Sequence, residues 1–246
     1  MPDARVRIAV RRQRDPESPS SLEAFEYVGP THVSVLHVLE WINGHPASRV
    51  APEGEAFEPI AYECSCEQGL CGACAMVVSG TPMLACQAFV DEVARSGVVE
   101  VGPLTKFPLV RDLVVDRTAM DEAMASMRSW LEGEALVTPR LATDQYQAGL
   151  CLMCGCCLEA CPNYAPGAPF CGAAGALGLM GTVTKESDEA HREDMRRAYQ
   201  ERFFSVCSKS GACERACPAG LPTMTLVSQA NRASVWGFWR RIGQGR

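Results

Sequence analysis

The sequence has no uninterrupted apolar run of about 18 residues, the length that a membrane-spanning helix requires. Its first residues, MPDARVRIAVRRQRDPESPSS, contain no apolar segment like that of a secretory signal. The Arg11-Arg12 pair also lacks the apolar run that follows a twin-arginine signal. We therefore expect the chain to stay in the cytoplasm and to meet a membrane only through a partner.

An excess of basic residues is also missing. The net charge of -6 and the pI near 5.3 exclude a general nucleic-acid binder, which would carry a basic face. The sequence contains no G-x-G-x-x-G, P-loop, nucleophile elbow or H-E-x-x-H motif. From these absences we expect that the chain has no nucleic-acid partner and no independent catalytic site.

Cysteine, in contrast, is abundant, with 14 residues in a chain of 246. Hydrophobic residues make up 47% and charged residues 21%, an ordinary composition for a globular protein. Thiol buffers in the cytoplasm keep most cysteine pairs reduced, so disulfides are a poor explanation for so many cysteines. The composition therefore favours metal binding.

The chain predicts two domains. Strands are predicted in ARVRIAV, SLEAFEYV, ACAMVVSG and VVEVGPL, with one helix in SVLHVLEWING. This is an α+β pattern. A cluster of turn residues between Pro103 and Pro108 predicts a domain boundary, and we place the domains at residues 1–105 and 106–246.

The second domain is predicted to consist of helices separated by cysteine-rich loops. A helix over TAMDEAMASMRSWLEGEA would place Met120, Met127 and Trp130 on one face, where core packing is the simplest role. The segment ESDEAHREDMRRAYQERFF is typical of a solvated helix. His191 in that segment is accordingly predicted to be a surface residue.

The first group of cysteines follows the C-x4-C-x2-C…C spacing of plant-type ferredoxins, which bind a [2Fe-2S] cluster. The four predicted ligands are Cys66, Cys71, Cys74 and Cys86. Gly69 and Gly72 fit this interpretation because glycine lets the backbone approach a cluster closely. Cys64 lies outside the spacing and is predicted not to be a ligand.

The second group repeats the C-x2-C-x2-C-x3-C-P run of bacterial two-cluster ferredoxins, in which the fourth cysteine ligates the other cluster. A companion run near the end of the sequence closes with the same C-x3-C-P. Crosswise ligation predicts a [4Fe-4S] cluster held by Cys151, Cys154, Cys157 and Cys217.

The companion run has Ser210 where the template has its central cysteine. Only three cysteines then remain for the other cluster: Cys161, Cys207 and Cys213. A serine oxygen is a harder and less suitable ligand for iron-sulfur chemistry, so a [3Fe-4S] cluster is predicted. Cys156 and Cys171 fall outside both spacings and are predicted to be buried thiols.

These motifs and their order resemble the iron-sulfur subunit of succinate dehydrogenase and fumarate reductase. Supporting stretches are CEQGLCGACAM, KFPLVRDLVVDR, FCGAAGALG and VCSKSGACERACPAGL. The resemblance implies an N-terminal β-grasp domain of the plant-ferredoxin type, followed by an all-α domain like bacterial ferredoxins. It also implies electron transfer between the FAD of a flavoprotein subunit and quinone at a membrane anchor that carries haem b.

Two positions depart from members of that family that reduce ubiquinone. Those members have a tryptophan and a histidine where this chain has Pro166 and Ser208. The stretches CGCCLEACPNY and GAAGALG are more similar to members with menaquinone and a cytochrome b-type anchor. We expect menaquinone as the quinone and a peripheral location on the cytoplasmic face of the membrane.

Two other functions are compatible with the residues. One is the same role in a fumarate reductase or in a related enzyme of heterodisulfide reduction or glycolate oxidation. The other is a zinc-stabilised interaction module, although zinc sites generally use paired C-x2-C motifs.

Overall fold

The computed structural model describes residues 4–50, 57–136 and 139–236. The chain divides into two compact units, the first ending at Asp116 and the second beginning at Arg117. We describe each unit by itself.

The first unit is built on a mixed five-stranded sheet. Its strands are β1 (Ala4–Arg12), β2 (Ser21–Gly29), β3 (Ala75–Val78), β4 (Thr81–Leu84) and β5 (Val98–Gly102). Their spatial order is β2-β1-β5-β3-β4, in which β1 and β5 run parallel and the other neighbours antiparallel. A two-stranded sheet of β6 (Leu109–Arg111) and β7 (Val114–Val115) follows. The strands predicted from alternation are confirmed.

Helix α1 (Val35–Gly44) is the main helix of this unit, and α2 (Val90–Val93) is a single turn. The Ser34 side chain accepts the backbone N–H of His37, which satisfies one of the free donors at the helix start. One face of α1 is buried, as its apolar spacing predicts.

Asp112 explains where the first unit ends. Its buried carboxylate accepts hydrogen bonds from the backbone N–H of Gln13 and Ala61, each at 3.0 Å. The Nε of Arg12 lies 3.1 Å from the same carboxylate. The β6–β7 turn is thereby bound to β1, so the division falls after Asp116, later in the chain than the predicted residue 105.

The described part of the second unit contains helices and no strands. They are α3 (Thr118–Ser126), α4 (Ala142–Gly149), α5 (Cys156–Glu159), α6 (Gly172–Val183), α7 (Glu189–Tyr199), α8 (Ala212–Arg215) and α9 (Thr223–Ser234). A π-helical turn, Gln200–Phe204, extends α7. Among the described residues, no helix is both long and apolar enough to span a membrane.

Helix α6 forms the centre of the second unit and packs against α3, α4 and α9. Small residues along α6 allow its neighbours to come close. A Cβ atom at Gly178 would lie only 2.1 Å from Cε of Met124 on α3, so a side chain there would require the Met124 side chain to move.

The predicted long helix after residue 118 is wrong in its second half. Helix α3 ends at Ser126, and Arg128 adopts a positive φ of 54°, which is incompatible with a continuing helix. Met120 and Met127 are buried as predicted, whereas Trp130 lies beyond the helix with 43% of its surface exposed.

The prediction for His191 is also wrong, because this side chain is buried. Its Nε2 atom lies 3.1 Å from the carbonyl oxygen of Trp130. Because the residues around His191 in the sequence are charged, the pattern did not indicate that this face of the helix packs against the loop after α3.

Glu186 holds the same loop in place. Its fully buried carboxylate accepts the backbone N–H groups of Glu132, Gly133 and Asp188 at 2.8, 3.0 and 2.7 Å. Burial by itself would raise the pKa of Glu186, but these three donors favour the charged form and lower the pKa below 4.5.

We expect Glu186→Gln to lower the free energy of unfolding by about 1–3 kcal/mol, because the amide nitrogen would face backbone donors. Since the folded pKa is lowered, the carboxylate stabilises the fold above pH 4.5 and loses this effect as the pH falls further. Chemical denaturation from pH 7 to pH 3.5 should therefore show the difference between wild type and variant shrinking below pH 4.5. Glu201→Gln, at an exposed position, is the control and should change little. A difference that is independent of pH would contradict this account.

Candidate iron-sulfur centres

The first group of cysteines lies in the loop before β3 and in the turn after β4. The β3–β4 hairpin pairs Ala75 with Leu84, which brings the adjoining residues Cys74 and Cys86 together. Both are buried, and their side chains interact. Burial raises the pKa of the Cys74 thiol to about 12.

The other half of this site is a tight loop around Cys66 and Cys71. The backbone N–H groups of Gln68 and Leu70 donate to Sγ of Cys66 at 3.4 and 3.2 Å, and these hydrogen bonds lower the pKa of Cys66 to about 7. The N–H of Ala73 donates to Sγ of Cys71 at 3.5 Å. Backbone donors directed at sulfur favour the thiolate, the form that binds iron.

Gly69 is needed in this loop for two reasons. Its φ is +74°, and a Cβ atom there would lie 3.0 Å from the side chain of Gln87. A larger residue would therefore be strained in its backbone and would crowd the turn that carries Cys86.

Cys64 differs from its neighbour Cys66. It is exposed, and among the described residues no backbone N–H donates to its sulfur, while burial of its thiol raises the pKa of Cys64. The geometry thus supplies thiolate-stabilising donors to Cys66.

Two further groups of cysteines line two cavities in the second unit. The cysteines on the wall of the first cavity are Cys151, Cys154, Cys157 and Cys217. The wall of the second contains Cys161, Cys207 and Cys213. These are the two crosswise sets predicted from the spacing, and Cys156 and Cys171 line neither cavity.

The two cysteine runs have the same local backbone. Met153 and Gly155 adopt φ of +51° and +89°, and α5 follows. Lys209 and Gly211 adopt φ of +58° and +70°, and α8 follows. Ser210 therefore occupies the same place in its run as Cys154 does in the first run.

The hydroxyl of Ser210 has another partner. Its Oγ accepts the backbone N–H of Ala212 at 3.4 Å, and its carbonyl oxygen accepts a hydrogen bond from Arg215 at 3.3 Å. Ser210 is thus held at the start of α8, on the wall of the second cavity.

Burial dominates the electrostatics of the two cavities. It raises the pKa of the thiols of Cys151, Cys157 and Cys213. Cys154 is the exception, since hydrogen bonding from Cys156 lowers its pKa to about 7. Cys171 is a buried thiol whose pKa burial raises to about 12.

These residues fit iron-sulfur clusters better than a single metal ion. Sulfur ligands of one zinc ion lie about 2.3 Å from the metal and hence within about 4 Å of one another. Among the described residues, no group of three or more His, Cys, Asp or Glu side chains is arranged to hold a metal ion. A cluster instead separates its cysteines by several iron atoms, which suits thiols spread around a cavity wall.

Sequence reasoning missed the structural role of several residues around the second cavity. The hydroxyl of Ser208 donates to Oδ1 of Asn163 at 2.5 Å, which joins the loop after Cys161 to the loop after Cys207. Phe170 and Phe203 stack 5.6 Å apart on its wall. The sequence singled out Ser208 only as a departure from relatives that use ubiquinone, and the two phenylalanines gave no signal.

Known proteins share these features. A family profile described as "2Fe-2S iron-sulfur cluster binding domain" matches residues 7–122. The chain is 28% identical to the succinate dehydrogenase iron-sulfur subunit of Bacillus subtilis, over 98% of this chain and 97% of that protein. It is 31% identical to a fumarate reductase iron-sulfur subunit of Mycobacterium tuberculosis, over 88% of this chain and 87% of that protein.

A solved structure, the Mycobacterium smegmatis Sdh1 complex in the apo form, contains a chain with the same fold. It matches with a TM-score of 0.75 and 20% identity, over 96% of this chain and 98% of the other. The predicted fold class, an α+β ferredoxin-type subunit, is confirmed. The chain belongs to the family of succinate dehydrogenase and fumarate reductase iron-sulfur subunits.

The difference between Cys64 and Cys66 can be tested directly. We expect Cys66→Ser to abolish the EPR signal of the reduced binuclear cluster, because it removes the sulfur that the Gln68 and Leu70 amides stabilise. Cys64→Ser is the matched control two residues away and should keep the signal. Loss of the signal in the Cys64 variant would show that the loop uses the other cysteine.

Proposed function

We propose that this iron-sulfur electron-transfer subunit carries three clusters. A [2Fe-2S] cluster is held by Cys66, Cys71, Cys74 and Cys86 in the N-terminal domain. A [4Fe-4S] cluster is held by Cys151, Cys154, Cys157 and Cys217, and a [3Fe-4S] cluster by Cys161, Cys207 and Cys213, in the helical domain. Bound clusters supply one-electron carriers whose potentials depend on cluster type, hydrogen bonds to sulfur and solvent exposure.

The observation that carries this proposal is the matching backbone around Cys154 and Ser210. Because the two runs have the same sequence of positive φ values before α5 and α8, Ser210 stands at the corner where a fourth thiolate would be. Its oxygen already accepts a hydrogen bond from Ala212. Three thiolates without a fourth favour a three-iron cluster.

The chain's own residues would hold the clusters and shield them from water in part. Cys154 is buried, and Phe170, Phe203 and Val227 supply apolar surface to the other cavity, whereas most of the remaining ligand cysteines are partly exposed. Partial burial would limit the reorganisation that follows a change of charge. No acid-base or nucleophilic group is required in this chain.

We assign the chain to a succinate:quinone oxidoreductase, in which it passes electrons between two partners. One is a flavoprotein subunit with FAD, and the other is a cytochrome b-type membrane anchor with haem b and quinone. The similarity to the Bacillus subtilis succinate dehydrogenase subunit over nearly the whole of both chains supports this assignment. The chain would lie peripherally on the cytoplasmic face of the membrane, bound to the anchor.

Menaquinone is the quinone we propose. Pro166 and Ser208 stand where relatives that use ubiquinone have tryptophan and histidine. In this structure Ser208 bonds to Asn163, so that position serves to connect two loops.

The second candidate is the same role in a fumarate reductase, with electrons moving from quinol to fumarate. It is favoured by the similarity to the Mycobacterium tuberculosis subunit of that name. The direction follows from the potentials of the partners and the quinone, which do not reside in this chain.

We expect Ser210→Cys to convert the three-iron centre into a cubane. The oxidised unmodified protein should show the near-isotropic EPR signal of [3Fe-4S], and the variant should lose it and titrate at a lower potential. Ser205→Cys, at an exposed position that lines neither cavity, is the control and should keep the signal. Mössbauer spectra that show two complete cubanes in the unmodified, undamaged protein would overturn the cluster assignment.

We also expect the purified chain alone to be unable to oxidise succinate, because it has no flavin motif and no acid-base site. Turnover with an artificial acceptor should appear only when the flavoprotein subunit is added. The same assay with the Cys66→Ser variant should slow the transfer of electrons beyond the flavin. Succinate oxidation by the chain without flavoprotein would contradict the proposal.

A further inference from the structure

Ala173, in the first turn of α6, lies on the walls of both cavities of the helical unit. It is buried, with 5% of its surface exposed. The next residue, Ala174, is equally buried but lines the first cavity alone. A single methyl group is therefore shared by the two cysteine sets.

The close packing around this methyl is imposed by the chain itself. Gly172 adopts a φ of +63°, and a Cβ atom there would lie 2.1 Å from Cδ2 of Leu158 on α5. The positive φ favours glycine at this position, where the start of α6 packs against the Leu158 side chain of α5, the helix that carries Cys157. The first turn of α6 therefore lies beside α5 and places Ala173 on both cavity walls.

We propose that Ala173 is a positioning residue that sets the distance, and hence the electronic coupling, between the [4Fe-4S] and [3Fe-4S] clusters. This inference rests on the cluster assignment of the proposed function. A larger side chain at this position must push into both cavities at once, because close-packed interiors do not absorb added methyl groups without displacement. A smaller one lets the two walls approach.

The test uses the complete chain in its assembled complex, with three variants. Ala173→Val adds two methyl groups to the shared wall, and Ala173→Gly removes one. Ala174→Val is the control that adds two methyl groups to the wall of the first cavity alone. Redox titration followed by EPR gives the potential of each cluster, and the broadening of one cluster's EPR spectrum by the other reports their separation.

We expect Ala173→Val to change the reduction equilibrium of both clusters at least threefold, which corresponds to about 30 mV for one electron. It should also weaken their mutual broadening, and Ala173→Gly should strengthen it. Ala174→Val should shift the [4Fe-4S] cluster and leave the [3Fe-4S] cluster unchanged. If Ala173→Val fails to assemble, Ala173→Gly and Ala174→Val still make the comparison.

The inference is overturned if an Ala173 variant moves one cluster only, leaves the broadening unchanged, or matches Ala174→Val. Failure of the proposed function is a separate result. It would appear in the unmodified protein, as Mössbauer spectra without one four-iron and one three-iron cluster.

Discussion

The second half of the chain depends on one constraint, that each of its two cysteine-lined cavities takes cysteines from both cysteine runs. Cys217 lies on the wall with Cys151, Cys154 and Cys157, and Cys161 on the wall with Cys207 and Cys213. The helical segment between the two runs must therefore fold back so that the second cysteine run lies next to the first. Helix α6 makes this possible because its small residues let α3, α5 and α9 pack closely around it.

The first unit brings its cysteines together within one short stretch of the chain, without contributions from two distant runs. The five cysteines of this unit fall within one loop and the turn after the following hairpin, and the β3–β4 register places Cys74 near Cys86. Backbone amides rather than side chains approach the sulfur of Cys66. A strand register and a few glycines thus build this site, whereas helix packing builds the other two.

The sequence was informative where a short-range pattern corresponds to one local structure. Alternation located β1 and β2, and the apolar stripe located α1. Cysteine spacing predicted the sets of residues that line both cavities in the helical unit. Each of these predictions depends only on residues that are close together in the sequence or on a known spacing of ligand cysteines.

The errors arose where distant contacts overrode the local pattern. Helix α3 stops early because the loop after it is held by Glu186, which lies far along the chain. His191 is buried among charged neighbours because that loop packs over it. Apart from the small size of Ala173, nothing in the sequence indicates that this residue lies on both cavity walls. Its position there depends on how α5 and α6 pack against each other.

The crossed lining of the two cavities has a consequence for biosynthesis. The N-terminal cysteines are all synthesised with the first domain, so the proposed [2Fe-2S] cluster can be inserted while translation continues. Neither proposed centre of the helical domain has its full set of thiols until the last cysteine run has emerged. Insertion of the proposed clusters in that domain must then wait for nearly the whole polypeptide, and a truncated product would be deficient in both centres together.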